Sequence, residues 1–459
     1  MDFIPVPQYR AARATPYRGQ KADSYKAASI KSANENVDFN SYLPLIVEAG
    51  KSDVDILVLP AQEKTESADK YEEAVKNISD AAKKAGLYIA AHLYEGVQCQ
   101  NKKEIVRSNI VFDREGKTVS VYKKPMNNLT NCTSVDSEGS FKTDFGVTFG
   151  LLMGEDLALY KPETFGGLKN FLVLGGFVPQ IPILGGPQLL QSWAYVNRAN
   201  IISPAGIYAS GSAANNGNAM IVADLNKEGA DPASPPIMSP SQLQDSPAED
   251  LSLYAVKPLD LESASRGLQE TVCHGQLCCQ FKIKTKLTGT KPLHTYSLAA
   301  LRGDRAFSRG QRVGVQSCAI FACPGPDGDT CVTQIEWGEL NVIFEQINIS
   351  GNFSKSNTAL YPMVVAADTV PLDNFKFDTK VTDQKLASIE LTEARVFSAG
   401  IFGRDFDRDA NTKSTGENNA YSNFYDYIFN DDVLGIIDYV WIRLRILIFV
   451  VSIYILEMI

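Results

Sequence analysis

The first 250 residues alternate two kinds of apolar pattern, and that alternation restricts the fold more than anything else in the chain. The runs DILVLP, LYIAAHLYE, FLVLGGFVP and ANIISPAGI are almost continuously apolar, as strands buried on both faces are. Between them lie segments of helical period. From Tyr71 to Gly86, Val75, Ile78, Ala81, Ala82 and Ala85 fall on one face, and Gly86 supplies the stop. Over residues 25–50, Ala27, Ile30, Ala33, Val37, Tyr42, Leu45, Ile46 and Ala49 recur at near-helical intervals, predicting a helix that leads into DILVLP. SNIVFDREGKTVSVYKK reads as two strands around a turn at Asp113 to Gly116. Further helices are predicted after Glu155 and from Pro187 to Ala199. The expectation is a layered α/β domain over residues 1–254, and an all-β fold is hard to fit.

Near residue 255 the texture changes. CCQFKIKTKL, YSLAALRG, LNVIFEQINISG and ARVFSAGIFGRD are short β-rich runs separated by Gly, Pro, Asn and Asp clusters. Cys273, Cys278, Cys279, Cys318, Cys323 and Cys331 crowd into this stretch, while Cys99 and Cys132 stand apart. Such density points to disulfides, so residues 255–410 are expected to form a smaller β domain stapled by them. Zinc is disfavoured: the spacings lack CxxC pairs and His274 is the only histidine close by. No metal or cofactor is expected. A net charge of -9 with only isolated lysine pairs argues against a nucleic-acid partner.

Five sequons, at Asn77, Asn128, Asn131, Asn348 and Asn352, agree with the cysteines in favouring an oxidising compartment. The amino terminus MDFIPVPQYRAARATPY, in contrast, has no apolar core of signal-peptide type. Either the true start lies upstream or the protein is not exported. The first reading is preferred, because it leaves the cysteines and sequons explained. Residues 411–433 read as a polar linker and 434–459 as a hydrophobic tail. Its uninterrupted apolar run, Ile446 to Leu456, is eleven residues, against the ~20 that span a bilayer. Polar spacer, small residues and short tail fit a lipid-anchor signal, and an amphipathic helix packed on the protein or a membrane surface is the other reading.

Four segments taken in order, DILVLP, VFDREGKTVSVYKK, FKTDFGVTFGLLMGEDLALYKP and QSWAYVNRANIISPAGIYASGS, resemble the vanin and biotinidase family of the nitrilase superfamily, insect vanin-like proteins above all. LCCQF, the Cys318/Cys323/Cys331 cluster and AGIFGRDFDRD extend the resemblance to about residue 410. It implies a nitrilase-type α-β-β-α sandwich with a C-terminal β domain, and amidase chemistry through a glutamate base, a lysine and a cysteine nucleophile. Carried over by position, the lysine is Lys124 of Tyr122-Lys123-Lys124, the base position after Pro60 is Ala61, and the nucleophile position in Met153-Gly154-Glu155-Asp156 is Gly154. Glu155 falls where the family has an aromatic residue, and Asp156 is retained. The resemblance thus implies an amidase fold with impaired or absent amidase chemistry. The alternative is an active enzyme on pantetheine-like amides using relocated groups. Glu63 and Cys132 are the residues to weigh for that, with Cys132 open equally to a disulfide with Cys99. A small amide-type ligand and membrane attachment through the tail are the expected partners, at the cell surface or outside the cell.

Two more features support a relaxed site. Only ten residues separate Pro60 from the predicted helix near Tyr71, where the family carries a long aromatic loop that walls its pocket. VLGGFVPQIPILGGPQ lacks the tryptophan usual there. His92, in an apolar strand, reads as a satisfied core histidine, and Trp193 and Tyr195 as packing a helix against the sheet.

Overall fold

The computed structural model describes residues 23–30, 39–60, 68–99, 102–125, 139–175, 180, 182–209, 219–229, 250–306, 312–323, 340–366 and 375–409. In chain order the N-terminal part contains β1 (Ser24–Ile30), α1 (Leu43–Lys51), β2 (Ile56–Val58), α2 (Tyr71–Ala85), β3 (Tyr88–Cys99), β4 (Lys102–Phe112), β5 (Thr118–Pro125), β6 (Ser140–Lys142), β7 (Thr148–Met153), α3 (Asp156–Leu159), β8 (Asn170–Leu174), α4 (Gly186–Asn197), β9 (Asn200–Ser203), β10 (Gly206–Tyr208) and β11 (Met220–Asn226). These strands make a six-stranded sheet of order β11-β1-β2-β3-β4-β5 and a five-stranded sheet of order β10-β9-β8-β7-β6. Helices α1 and α2 cover the first sheet and α4 covers the second, giving the α-β-β-α sandwich.

The helix expected from residue 25 begins only at Leu43; Ser24–Ile30 is a strand. Its side chains alternate between two cores. Tyr25 and Ala27 enter the space between the sheets, and Ala28 and Ile30 enter the space under α1 and α2. A central strand buried on both faces loses the polar alternation that would mark it, so small residues at mixed spacing imitate a helix. Helix α2 follows its sequence pattern closely. Ile78, Ala81 and Ala82 are buried, Glu72 and Glu73 sit at the positive end of the helix dipole, and Lys83 and Lys84 at the negative end. Gly86 closes it in the left-handed conformation at φ 67°, donating its N–H to Ala82 O.

The rest is a second β-sandwich: β12 (Ala255–Pro258), α5 (Leu261–Arg266), β13 (Leu268–His274), β14 (Leu277–Leu287), β15 (Thr295–Ala306), β16 (Arg312–Cys323), β17 (Val342–Phe353), β18 (Thr358–Ala366), β19 (Lys376–Val381), β20 (Lys385–Leu391) and β21 (Val396–Asp405). Its sheets run β12-β15-β16-β21-β18 and β13-β14-β17-β20-β19. Phe281, Ile283, Tyr296, Phe344 and Ile349 fill the space between them. Cys279–Cys318 ties β14 of one sheet to β16 of the other, and Cys273–Cys278 closes the β13–β14 hairpin. Cys323 is also disulfide-bonded, and no described cysteine is free. Cys132 and Cys331 lie outside the described residues, as does the side chain of Cys99.

Helix α4 joins the two sandwiches. Its Leu189, Trp193 and Ala194 pack in one cluster with Phe171 and Val173 below and with Val315, Phe321, Tyr361 and Phe402 above. Trp193 lies edge-on to Phe171 at 5.0 Å, as a helix-on-sheet contact should. Tyr195 departs from that expectation. It points away from the N-terminal sheet and meets Phe375 of the C-terminal sandwich at 5.3 Å. No described helix is long and apolar enough to cross a membrane, and the hydrophobic tail lies outside the described residues.

Candidate active site

Lys124 sits near the end of β5, and the antiparallel register of β4 with β5 places Arg107 directly opposite it. From the facing sheet, β7 ends at Met153, and Gly154, Glu155 and Asp156 turn the chain into α3. Because the sheets pack face to face, these ends meet in one buried corner. Lys124 is 9% exposed and Asp156 0%.

The corner is filled by ion pairs. Arg107 grips Glu155 with two parallel bonds, Nη1 to Oε2 at 3.0 Å and Nη2 to Oε1 at 2.6 Å. Both side chains are 4% exposed, so this is the fork geometry at which arginine is strongest. The Lys124 ammonium donates to Asp156 Oδ1 and lies 3.8 Å from Glu155 Oε1. Asp156 Oδ2 accepts the backbone N–H of Met153 at 2.9 Å, which fixes the turn that carries Gly154. The rings of Tyr160 and Tyr122 lie 5.3 and 5.8 Å from the ammonium. Two cations thus face two carboxylates in a space nearly closed to water.

Burial pushes the Asp156 carboxyl above its ordinary range; the neighbouring Glu155 adds to the effect and Lys124 opposes it. Burial raises the Tyr122 phenol as well, helped by the Asp156 charge beside it. Both shifts arise because charge is expensive in this corner unless matched.

Lys124 thus lies beside the turn that carries Gly154, the two positions to which the resemblance assigns the lysine and the nucleophile. Gly154 is buried, and its φ lies outside the left-handed region, so the backbone there does not demand glycine. It offers no atom to attack a carbonyl. Ala61 and Glu63 lie outside the described residues. Asn77 is on α2, Asn348 and Asn352 are on β17, and Asn128 and Asn131 are not described. Asn348 Nδ2 donates to Glu390 at 2.6 Å, and Asn352 Oδ1 accepts Cys278 N at 2.8 Å. His92 is buried with Nδ1 2.6 Å from Asn109 Oδ1, and Asn109 in turn donates to Leu152 O, the core role expected of it. Its ring leaves no room for a side chain on Gly175, where a Cβ would come within 2.5 Å.

Sequence reasoning missed Arg107. The signal was there: an arginine inside the apolar run Ile105-Val106 to Ile110-Val111-Phe112 has to find a buried anion, and Glu155 stands where an aromatic was expected.

The Vanin C-terminal domain family matches residues 245–409. Vanin-like protein 3 of Drosophila melanogaster is 26% identical over 73% of this chain and 75% of its own length. The human pantetheinase is 23% identical over 74% of this chain and 72% of its own. Among solved structures, an amidase from Nesterenkonia sp. aligns at 16% identity and a TM-score of 0.33, covering 45% of this chain and 92% of that one.

Proposed function

We propose that this chain is a vanin-like member of the nitrilase superfamily, as its similarity to the Vanin C-terminal domain family and to vanin-like protein 3 supports, and that it keeps the amidase fold without the family's covalent chemistry. The observation that carries the reading is the corner itself: the elbow residue is Gly154, and the ammonium of Lys124 is engaged by Asp156 and Glu155. A lysine so engaged is not available to hold a developing oxyanion. Loss of a covalent nucleophile typically lowers the rate by on the order of 10^4 to 10^6. Loss of the base at Ala61 adds little, because such groups fail together. The chain is then a binding or structural protein of an oxidising compartment, a placement supported by Cys273–Cys278 and Cys279–Cys318. Attachment to the membrane through residues 434–459 belongs to the same proposal.

The deciding experiment assays the purified chain against a chromogenic pantetheine-type amide. No turnover above background is expected. Turnover that disappears in Lys124→Ala would overturn the proposal and favour an active amidase with relocated groups. The double variant Ala61→Glu/Gly154→Cys is expected to stay inactive, since Glu155 remains clamped by Arg107 and the loop after Pro60 remains short. Glycosidase treatment that lowers the mass of protein from its native source checks the compartment.

A further inference from the structure

A cleft of about 750 Å³ opens where the two sandwiches meet, lined by the end of α4 and by β18, β19 and β20. Its charge is one-sided. Lys161, Arg198, Lys355 and Lys385 line it with a single carboxylate, Glu163. Among the described residues none of these four cations makes a direct salt bridge, although Glu163 acts on Lys385 and Asp407 on Lys161 through space. Lys161 Nζ donates to Asn357 Oδ1 at 2.9 Å, and Lys385 Nζ to the carbonyl of Thr358 at 2.8 Å. Lys385 is half-buried, and burial pushes its ammonium below the usual lysine range. The walls are aromatic. Phe377 and Phe406 line the cleft, Phe406 with its ring 5.7 Å from the Lys161 ammonium. Tyr361 lines it too, and its buried hydroxyl has no hydrogen-bond partner among the described residues.

Each feature asks for the same occupant. Four cations facing one lining carboxylate, one of them a partly desolvated lysine, are stabilised by an anion. Aromatic walls bury an apolar body, and the volume is that of a small-molecule site. We propose that this cleft binds a small amphipathic organic acid, with its carboxylate among Lys161, Arg198, Lys355 and Lys385 and its apolar body against Phe377 and Phe406. The site owes nothing to Gly154 or Ala61, so it stands whether or not the corner is catalytically silent.

The test is calorimetric titration of the whole chain with 4-phenylbutyrate, its neutral analogue 4-phenylbutan-1-ol, and inorganic phosphate. The acid should bind at one site, and both the alcohol and phosphate at least tenfold more weakly. Arg198→Glu/Lys355→Glu reverses the charge of two exposed side chains. It should weaken the acid by about tenfold, equivalent to ~1.4 kcal/mol, and leave the alcohol unchanged. Absence of acid binding would overturn the proposal, as would equal binding of acid and alcohol, phosphate binding as tightly as the acid, or an unchanged affinity in the charge-reversed variant.

Discussion

The C-terminal sandwich is filled by Phe281, Ile283, Phe344 and Ile349 and crossed by the Cys279–Cys318 disulfide, whereas the corner between β4, β5 and β7 is filled by Arg107, Lys124, Glu155 and Asp156. Both are closed to water, but they hold together by different physics. Apolar packing is non-directional, so a lost contact removes its own contribution and a little more for the cavity. A buried charge depends on its partner, and losing one half leaves the other unsolvated and unmatched. The corner is held by matched charges, so its tolerance of change is correspondingly narrow.

The largest expected effect follows from that asymmetry. Arg107→Leu or Glu155→Leu alone should destabilise the chain by about 3–5 kcal/mol, because each leaves a buried charge without its partner. The double variant should recover most of the loss. Urea unfolding of the three variants checks this, and additive losses would show that the pair does not act as a unit. In the sandwich, Cys279→Ala should cost about 2–4 kcal/mol. Here Cys279→Ala/Cys318→Ala should cost no less than the single change, since no stranded charge is there to be relieved. A double variant that recovers in both regions, or in neither, would erase the distinction.

The legibility of the two regions in the sequence differs for the same reason. The sandwich announced itself through alternation and cysteines: CCQFKIKTKL places Cys279, Phe281 and Ile283 inward and the lysines outward, as β14 does. Helix α2 was equally plain. Strand β1 was not, because a strand buried on both faces carries no polar punctuation. In the corner, Lys124 and Gly154 could be placed by resemblance alone. The Arg107–Glu155 pair could not, since it joins β4 of one sheet to the turn that follows β7 of the other, 48 residues away. Pairing across that distance is a property of the packed sheets, and only the oddity of a charge in an apolar run hinted at it.

A smaller effect concerns pH. Burial raises the Asp156 carboxyl above its ordinary value of 3.8, so the folded chain binds this proton more tightly than the unfolded chain does. The stability Asp156 contributes is therefore fully present below that value and is lost as pH rises through the folded value. Wild type measured against Asp156→Asn should lose relative stability as pH climbs from about 4. Urea midpoints of the two proteins across that range report it. A relative gain with rising pH would mean that attraction to Lys124 outweighs burial.

The smallest effect is expected on the outer face of the sandwich. Lys286 and Glu393 are in contact at 2.7 Å, as close as many buried pairs, yet their side chains are 45% and 60% exposed. Contact raises the Lys286 ammonium above the usual lysine range, but water and salt screen an exposed pair and either charge is well solvated alone. Lys286→Ala should therefore leave the unfolding midpoint unchanged within error, at low salt and at high. Similar distance with opposite consequence would place the cause in burial rather than in the pairing itself. A clear loss on removing Lys286 would instead mean that the corner is not special, and that ion pairs stabilise this fold wherever they form.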